Sequence, residues 1–305
     1  MKKIILTLSL YFPAQLLHAQ LKWIRVDSLF GPLPATVHVY KSVDSLGGSP
    51  NIAYYLEADL QDKQLQFTVD TSDRRRLKPS AFYEKNNQPL LVVNTTFFSF
   101  ATNKNLNIVM RNGKKLASNT ILVKGRGKDS THFFSPHSSA IGISKKRKAD
   151  IAWIRGDSIS SKVMATQEAP GLDVNKTTGF KKWKVATAVG GGPVLLQNGE
   201  IKITNEEEYR FAGKAINDRH PRTAMGYTKD NKLIVLVIEG RRPGIAAGAT
   251  LRQEAEIFQQ LGCWEALNLD GGGSSCMLVN GKETIKVSDA EGQRPVPAVF
   301  IISRK

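Results

Sequence analysis

The alternation of apolar and polar residues along this chain predicts a protein built mainly from β-strands. Residues 36–40 and 65–69 alternate with a period of two, which is typical of strands with one buried face. Asn-Gly and Asp-Asn pairs separate several such runs and favour two-residue hairpin turns, whose central residues take positive φ. Turns of this kind are predicted at Asn112-Gly113, Asn198-Gly199, Asp230-Asn231 and Asn280-Gly281.

Helical pattern is scarce, and the clearest helix begins after Thr250. This residue is a good N-cap with Gln253 three residues later, which is the capping-box pattern. Apolar residues then follow at helical spacing, and Gly262 supplies a C-terminal stop. A strand over 233–238 precedes the helix and a strand ending at Asp270 follows it. The sequence therefore predicts one βαβ unit near the C terminus, with its two strands parallel.

Two carboxylates follow the strands of this predicted unit. Glu239 comes directly after residues 233–238, and Asp270 follows the run 264–269. Because parallel strands end at the same edge of a sheet, both side chains should open onto one rim, about 5 Å apart for neighbouring strands and about 10 Å apart if one strand intervenes. Such a pair suits glycosidic bond chemistry. A solvated residue in the turn 239–242 is an equally good interpretation of Glu239.

The most informative motif of the chain is Asn268-Leu269-Asp270-Gly271-Gly272-Gly273-Ser274-Ser275. Its three successive glycines can take positive φ and let a ligand approach the backbone N–H groups. An aspartate beside such a loop indicates a place where an anionic group meets a catalytic or orienting carboxylate. A tight turn with a capping aspartate is the alternative, but three glycines followed by two serines exceed what a turn requires.

Further residues are candidates for the same pocket. Asn94 ends the buried run 90–94 and could bind sugar hydroxyls through both its donor and its acceptor. The cluster Gly190-Gly191-Gly192 enters a hairpin, where it could offer backbone amides to a phosphate or simply form the turn.

Cationic candidates lie near the start of the strand that pairs with 233–238. Arg222 is placed beside Glu239 by that hairpin, and its guanidinium could bind a phosphate bidentately or pair with a carboxylate. His220 could titrate near neutrality, although a histidine before proline is more often structural. Arg294, which precedes the last apolar strand, is a weaker cationic candidate.

The start of the chain has the pattern of an export signal. Two lysines precede an apolar stretch at residues 4–17, and Ala19 occupies the small-residue position before a cleavage point. This predicts a secretory signal peptide over residues 1–19, cut after Ala19, and a secreted or periplasmic protein without stable membrane insertion.

The charge indicates anionic partners. The 305 residues carry a formal net charge of +16. Much of it lies in the runs 74–76, 145–148 and 181–182. On an exported protein this favours phosphorylated glycans, lipid head groups or acidic polysaccharide, although a solvated face explains each run taken alone. Nucleic acid is not expected, because no stacking pattern or binding motif accompanies the charge.

The cysteines and histidines indicate no cross-link and no metal. Cys263 and Cys276 are expected to lie too far apart for a bridge, so two buried thiols are predicted, with a disulfide as the alternative in an oxidising compartment. His132 and His137 show no metal-ligand spacing with nearby acids or thiols. Neither a metal site nor a cofactor is predicted.

Taken in order, these segments resemble the phosphodiester glycosidase family. The strongest matches are His220-Pro221-Arg222-Thr223-Ala224-Met225-Gly226, Glu239-Gly240-Arg241, Gly248-Ala249-Thr250-Leu251 and the motif at 268–275. Weaker matches are Asn94 with Phe97-Phe98, Gly190 to Pro193, and Arg294-Pro295-Val296. Together they span about residues 90–303. The chain departs from the family at Thr95-Thr96, where two glycines are usual, and at Glu239, where aspartate is usual.

The resemblance implies an α+β fold in which a strand-rich, mixed and twisted sheet curves around central helices. It also implies hydrolysis of a sugar-1-phosphodiester that releases a free sugar. Asp270 would act at the anomeric centre as nucleophile or oxocarbenium stabiliser, Glu239 as its acid or base partner, and Arg222 on the leaving phosphate. The expected substrate-binding residues are Asn94, Gly191, Gly192, His220, Arg241, Asn268, Gly271, Gly272, Gly273, Ser274 and Arg294.

These expectations divide the mature chain into an N-terminal strand-rich extension, residues 20–85, packed on a glycosidase domain, residues 86–305. Two other functions remain open at this point. One is a non-catalytic protein that binds anionic cell-envelope glycans on the same rim. The other is a glycosidase acting on polysaccharide without phosphate.

Overall fold

The computed structural model describes residues 20–125, 131–155, 162–169, 178–213 and 217–305. These residues form 22 β-strands and two α-helices. The predicted signal peptide, residues 1–19, lies outside the described residues. Within the described part, no helix is both long and apolar enough to traverse a bilayer.

The strands are short and follow one another closely along the chain. In order they are β1 (Ile24–Arg25), β2 (Val37–Ser42), β3 (Ala53–Asp59), β4 (Leu65–Thr71), β5 (Leu91–Asn94), β6 (Val109–Arg111), β7 (Lys114–Ala117), β8 (Val123–Lys124), β9 (Phe133–Phe134), β10 (Ser138–Ile143), β11 (Ala149–Ile154), β12 (Met164–Thr166), β13 (Lys181–Lys182), β14 (Thr187–Gly190), β15 (Val194–Gln197), β16 (Glu200–Ile201), β17 (Arg222–Thr228), β18 (Lys232–Ile238), β19 (Cys263–Asn268), β20 (Met277–Val279), β21 (Lys282–Glu283) and β22 (Ala298–Arg304). The helices are α1 (Pro79–Lys85) and α2 (Leu251–Gln260).

Three sheets make up most of the described structure. The largest has eight strands in the order β1-β2-β3-β18-β17-β19-β15-β16, the second has seven in the order β13-β12-β11-β10-β14-β6-β7, and the third has five in the order β21-β20-β5-β22-β4. Strands β8 and β9 form a separate pair. Every hydrogen-bonded pair among these strands is antiparallel.

One central core joins the inner faces of all three sheets. Val235 of the eight-stranded sheet, Trp153 of the seven-stranded sheet and Phe300 of the five-stranded sheet belong to the same buried cluster. The residues beside them in sequence face the other way, because successive side chains of a strand alternate between faces. Leu236, for example, belongs to a second cluster on the outer face of the eight-stranded sheet. The three sheets therefore curl around one shared core of buried side chains.

The two helices cover outer faces of these sheets. Leu251, Ala255 and Phe258 of α2 lie in the outer cluster of the eight-stranded sheet. Phe82 of α1 packs on the outer face of the five-stranded sheet, in a cluster that includes Val92. The strand-rich α+β class is confirmed, but the expected central helices lie outside. The reason is that strands such as β18 are apolar on both faces, so each sheet needs a second layer.

The predicted hairpins are all present. They connect β6 to β7, β15 to β16, β17 to β18 and β20 to β21. The asparagines of these turns take positive φ, at Asn112, Asn198, Asn231 and Asn280. The turn chemistry alone was sufficient to locate them.

The predicted strand–helix–strand unit is also present, with one difference in pairing. Strands β18 and β19 are each antiparallel to β17, which lies between them, so they run parallel to each other without sharing hydrogen bonds. All paired strands of the described residues are antiparallel, so the sheet is not mixed as expected. The capping box of α2 is formed, because the Gln253 N–H donates to Thr250 Oγ1 (3.2 Å) and the Thr250 N–H donates to Gln253 Oε1 (3.1 Å).

Residues 20–85 contribute strands to the same sheets as the rest of the chain. Strand β3 pairs with β18 over seven residues, and β4 pairs with β22 over seven residues. Their hydrogen bonds make the sheets continuous across residue 85, so a boundary at that point stays a prediction.

Both cysteines are free and buried. Burial raises the pKa of each thiol above its ordinary value, so both are held as thiols. The predicted pair of buried thiols is confirmed.

Candidate active site

Asp270 lies where two sheets meet. It follows β19 of the eight-stranded sheet, and its backbone N–H donates to the carbonyl of Thr95, just after β5 of the five-stranded sheet (2.8 Å). In return Asn94 Nδ2 donates to the Asp270 carbonyl (2.6 Å). These two bonds fix the Asp270 backbone from both sides, so its carboxylate has a defined position at the junction.

The environment of Asp270 raises the pKa of its carboxyl group above the ordinary value. Burial raises its pKa to about 7, because a carboxylate loses hydration there. The Ser274 hydroxyl, the Arg294 guanidinium and the Gly271 N–H oppose this effect and lower the pKa, but only in part. Both protonation states are therefore populated near neutrality, as expected for a group that participates in chemistry at that pH.

The Asn94 side chain forms its hydrogen bonds with other groups of the protein. It is fully buried, and its Oδ1 accepts from Thr223 Oγ1 (2.9 Å) and from the Cys276 N–H (3.1 Å). With its amide nitrogen on the Asp270 carbonyl, Asn94 links the end of β5 to β17 of the eight-stranded sheet, to the residue before β20 and to the catalytic candidate. The structure thus places Asn94 behind Asp270, and the expected contact with sugar hydroxyls stays a prediction.

The glycine motif forms a tight turn after Asp270. Gly272 has φ of +62°, and its N–H donates to the Pro221 carbonyl (2.8 Å). The N–H groups of Ser274 and Ser275 donate to the carbonyls of Gly271 (3.1 Å) and Gly272 (3.2 Å). Most N–H groups of the turn therefore donate to carbonyl groups of the protein. An anion would have to be bound by side chains near the turn.

Two arginines pack on this turn because it has no side chains. A Cβ atom on Gly272 would lie 3.0 Å from Arg241 Nη2, and one on Gly273 would clash with the Arg294 guanidinium. Arg241 is exposed, and Arg294 is half-buried with its Nε on Asp289 Oδ2 (2.7 Å). The motif thus holds two guanidinium groups against the turn that follows Asp270, and the charge of Arg294 acts on the Asp270 carboxylate. This arrangement suits an anionic substrate.

His220 lies close to these cations. Its backbone pairs with Ala249 through reciprocal hydrogen bonds, 3.1 and 3.0 Å long. Burial lowers the pKa of the imidazole, and the charges of Arg222 and Arg241 lower it further, with Asp218 acting in the opposite direction. His220 is therefore neutral at physiological pH, as a hydrogen-bonding group would be beside two cations.

Glu239 is bound by neighbours of its own. Its carboxylate is 3% exposed, pairs with Arg242 Nη1 and accepts the Lys286 N–H (2.9 Å). The structure places Glu239 and Asp270 after the ends of β18 and β19, as expected. The predicted pairing of their carboxylates on one rim stays a prediction.

Arg222 does not contact Glu239, and the pleat of the sheet explains why. Arg222 is directly opposite Ile238 in register, and Ile238 faces α2. Residue 239, one position on, faces the opposite side. Arg222 instead donates to the carbonyls of Ala249 (2.9 Å) and Asp218 (3.2 Å). The expected contact between Arg222 and Glu239 is wrong.

A family model for the phosphodiester glycosidases matches residues 87–303, more than two thirds of the chain. The chain belongs to the phosphodiester glycosidase family.

Two relatives match part of this chain. The SPbeta prophage-derived uncharacterized protein YomE of Bacillus subtilis (strain 168) is 38% identical over 74 residues, which are 24% of this chain and 11% of that protein. The N-acetylglucosamine-1-phosphodiester alpha-N-acetylglucosaminidase of Mus musculus is 32% identical over 95 residues, which are 28% of this chain and 18% of the mouse enzyme. The alignments thus cover less than a fifth of either relative.

Solved structures share the fold at low identity. A hypothetical protein from Synechocystis superposes with a TM-score of 0.62 at 15% identity, over 94% of this chain and 68% of that one. The catalytic domain of the zebrafish N-acetylglucosamine-1-phosphodiester alpha-N-acetylglucosaminidase, auto-inhibited by its pro-peptide, superposes with a TM-score of 0.59 at 18% identity, over 90% of this chain and 85% of that one.

The second glycine cluster, at residues 190–192, supports Asn268. The Gly192 N–H donates to the Asn268 carbonyl (2.7 Å), and Asn268 Nδ2 donates to the Gly192 carbonyl (2.8 Å). The Gly191 N–H donates to the Ser139 carbonyl (3.0 Å), and a Cβ atom on Gly191 would collide with the Asn268 backbone. These glycines permit close backbone packing beside Asp270, and their predicted contact with substrate stays a prediction.

A buried ion pair lies behind these glycines, and no local pattern of residues indicates it. Glu208 is fully buried and pairs with Arg210, whose guanidinium also donates to the Gly191 carbonyl. Glu208 is one of three consecutive glutamates, a pattern that normally indicates a solvated surface. Only the three-dimensional structure shows that Glu208 is buried.

A second buried carboxylate lies behind Arg222. Glu254, in the first turn of α2, is fully buried, and neither of its side-chain oxygens has a hydrogen-bond partner within the described part. Burial raises the pKa of Glu254 to about 8, and the charge of Arg222 acts in the opposite direction. The charges of Arg222 and Glu254 therefore interact between β17 and α2, without a hydrogen bond to either Glu254 oxygen in the described part.

Proposed function

We propose that this chain, exported and freed of residues 1–19, hydrolyses the bond between a sugar anomeric carbon and a phosphodiester oxygen. The products are a free sugar and a phosphate monoester. The observation that carries the proposal is the Asp270 carboxylate, with its pKa near 7, beside the two arginines of a side-chain-free turn. Membership of the phosphodiester glycosidase family supports the same reaction.

Each group of the site has a role in this reaction. A phosphate monoester leaves readily, so its departure depends more on stabilising negative charge than on protonation. Arg241 and Arg294 would provide that stabilisation, since their charges are fixed before the reaction. Asp270 would act on the anomeric carbon, as nucleophile or as stabiliser of the oxocarbenium ion.

The remaining predicted residues act through the backbone in this proposal. Glu239 is a positioning residue, because its bonds to Arg242 and Lys286 hold the turn that carries Arg241. Arg222 likewise holds the carbonyls of residues 218 and 249 behind the loop that meets Gly272. His220 would offer a neutral hydrogen-bonding group near Arg241.

A panel of defined substrates tests the proposal. Purified protein would be incubated with N-acetylglucosamine-1-phosphate methyl diester, with related sugar-1-phosphodiesters, and with matched methyl glycosides without phosphate. We expect release of free sugar from at least one phosphodiester and none from the glycosides. Binding of phosphodiesters without any product would favour a glycan-binding protein, and cleavage of the glycosides at an equal rate would favour an ordinary glycosidase.

Gly273→Ala is predicted to weaken substrate binding. The new methyl group would displace the Arg294 guanidinium from the turn, at little cost in stability because a flexible side chain can move aside. We expect KM for a hydrolysed phosphodiester to rise about tenfold, the effect of losing one charge-assisted hydrogen bond. Arg252→Ala is the control, because it removes an exposed guanidinium that pairs with Glu256 on α2. Equal KM values for the two variants would contradict the role of Arg294.

A further inference from the structure

A large open cavity lies outside the site described above. Its volume is about 680 Å³, and it is bordered by the loop after β4, the segment before β6 and strand β7. The charged and polar side chains at its wall include Asp73, Arg74, Lys104, Asn105 and Lys115. Three cations against one acid give this cavity a positive character.

The wall of this cavity contains strained backbone. Asp73, Arg74 and Asn103 all line it, and their φ angles are +49°, +61° and +57°. Residues with a Cβ atom rarely adopt this left-handed region, and such strain concentrates at binding sites. In particular, the backbone at Arg74 and Asp73 is fixed in a conformation that the sequence alone does not favour.

A band of cations connects the cavity to the glycine turn. Phe100 is 61% exposed, and its ring lies between two guanidinium groups, that of Arg76 at 5.2 Å and that of Arg294 at 5.5 Å from the ring centroid. Arg294 packs on Gly273, and Arg76 is two residues from Arg74 at the cavity wall. An exposed ring between two cations presents both an apolar face and positive charge to a passing chain.

The backbone provides a second, shorter connection. The Asp270 N–H bonds to the Thr95 carbonyl, and the next residue, Thr96, donates from Oγ1 to Asn105 Oδ1 (2.5 Å). Asn105 lines the cavity. The cavity and the Asp270 carboxylate thus lie on either side of one strand end, linked by consecutive residues.

We propose that this cavity is the subsite for the aglycone, and that it selects substrates whose leaving phosphate carries a further anionic chain with additional phosphate groups. This inference rests on the proposed function. With the scissile phosphate at Arg241 and Arg294, the aglycone continues along Phe100 into the cavity. There Arg74, Lys104 and Lys115 meet its next phosphates. The apolar ring contacts the carbon atoms between successive phosphates.

The test compares two substrates that differ only in the aglycone. One is N-acetylglucosamine-1-phosphate methyl diester, and the other carries a short oligo(glycerol phosphate) in place of the methyl group. Wild-type protein is expected to hydrolyse the extended substrate with the higher kcat/KM, and salt should reduce this preference because exposed charges are screened. The double variant Arg74→Ala/Lys104→Ala should lose about three- to tenfold of kcat/KM on the extended substrate, and keep its activity on the methyl diester.

Matched controls separate the outcomes. The double variant Lys145→Ala/Lys146→Ala removes the same charge from an exposed turn elsewhere and should leave the preference intact. Hydrolysis of both substrates at equal efficiency, or equal losses in the two double variants, would overturn the aglycone subsite while leaving the proposed function standing. Failure of wild-type protein to hydrolyse these two substrates and every other sugar-1-phosphodiester of the panel would remove the proposed function and this inference with it.

Discussion

Asp270→Asn is expected to reduce kcat for sugar-1-phosphodiester hydrolysis by about 10²- to 10⁴-fold. Asparagine keeps the size of the side chain but can neither attack the anomeric carbon nor stabilise positive charge on it. The backbone bonds to Thr95 and Asn94 do not involve the side chain, so the turn should keep its place. Steady-state kinetics with the best substrate of the panel would measure the loss, and activity within a few-fold of wild type would disprove the assignment.

Thermal unfolding across pH shows whether this loss is chemical or structural. The Asp270 pKa is raised from 3.8 to about 7 in the folded protein, so the folded state disfavours the ionised form. The contribution of Asp270 to stability is therefore fully present below about pH 4 and is lost as pH rises through about 7. Asparagine cannot ionise. The Tm of Asp270→Asn relative to wild type should thus increase between about pH 4 and 7 and then level off. A Tm far below that of wild type at every pH would indicate a folding defect instead.

Glu208→Ala is expected to destabilise the protein by about 3–5 kcal/mol. The carboxylate of Glu208 accepts five hydrogen bonds, two from Ser139 and one each from Trp153, Val194 and Thr204. These partners come from the seven-stranded and the eight-stranded sheets and from the loop after β16. Alanine would leave the donors of Ser139, Trp153 and Thr204 without this acceptor in a buried place, whereas the Val194 N–H keeps Thr204 Oγ1 as a second acceptor.

Urea unfolding of Glu208→Ala and Glu207→Ala measures this effect. Glu207 precedes Glu208 and is only partly buried, so its replacement should change the free energy of unfolding by less than about 1 kcal/mol. Because Arg210 pairs with Glu208 and also donates to the Gly191 carbonyl, the first variant should also disturb the backbone beside Asn268. Equal midpoints for the two variants would show that the internal ion pair contributes nothing to stability.

Local signals were sufficient for much of the fold. Each Asn-Gly turn specifies a hairpin by itself, and Thr250 with Gln253 specifies the start of α2, because the interacting atoms are few residues apart. The position of the helices was not predictable in this way. It depends on both faces of strands such as β18 being apolar, and the sequence does not show which face another sheet will cover.

The part of the site that lies within one sequence motif was predictable. The run from Asn268 to Ser275 placed Asp270 at the end of a strand, as found. The pairing of Glu239 with Arg222 failed because a one-residue offset in register reverses the face of a strand. Glu208 could not be found at all, since its partners lie up to 69 residues away along the chain.

The five-stranded sheet has a consequence for how this protein matures. Its strand β22 lies between β4 and β5, so the register pairs Arg304 with Leu65 and Ile302 with Leu91. More than two hundred residues must be synthesised before those edges close. Contact order of this kind slows folding and keeps the nascent polypeptide open. The junction at Asp270, whose backbone bonds to the residue after β5, therefore assembles late in folding.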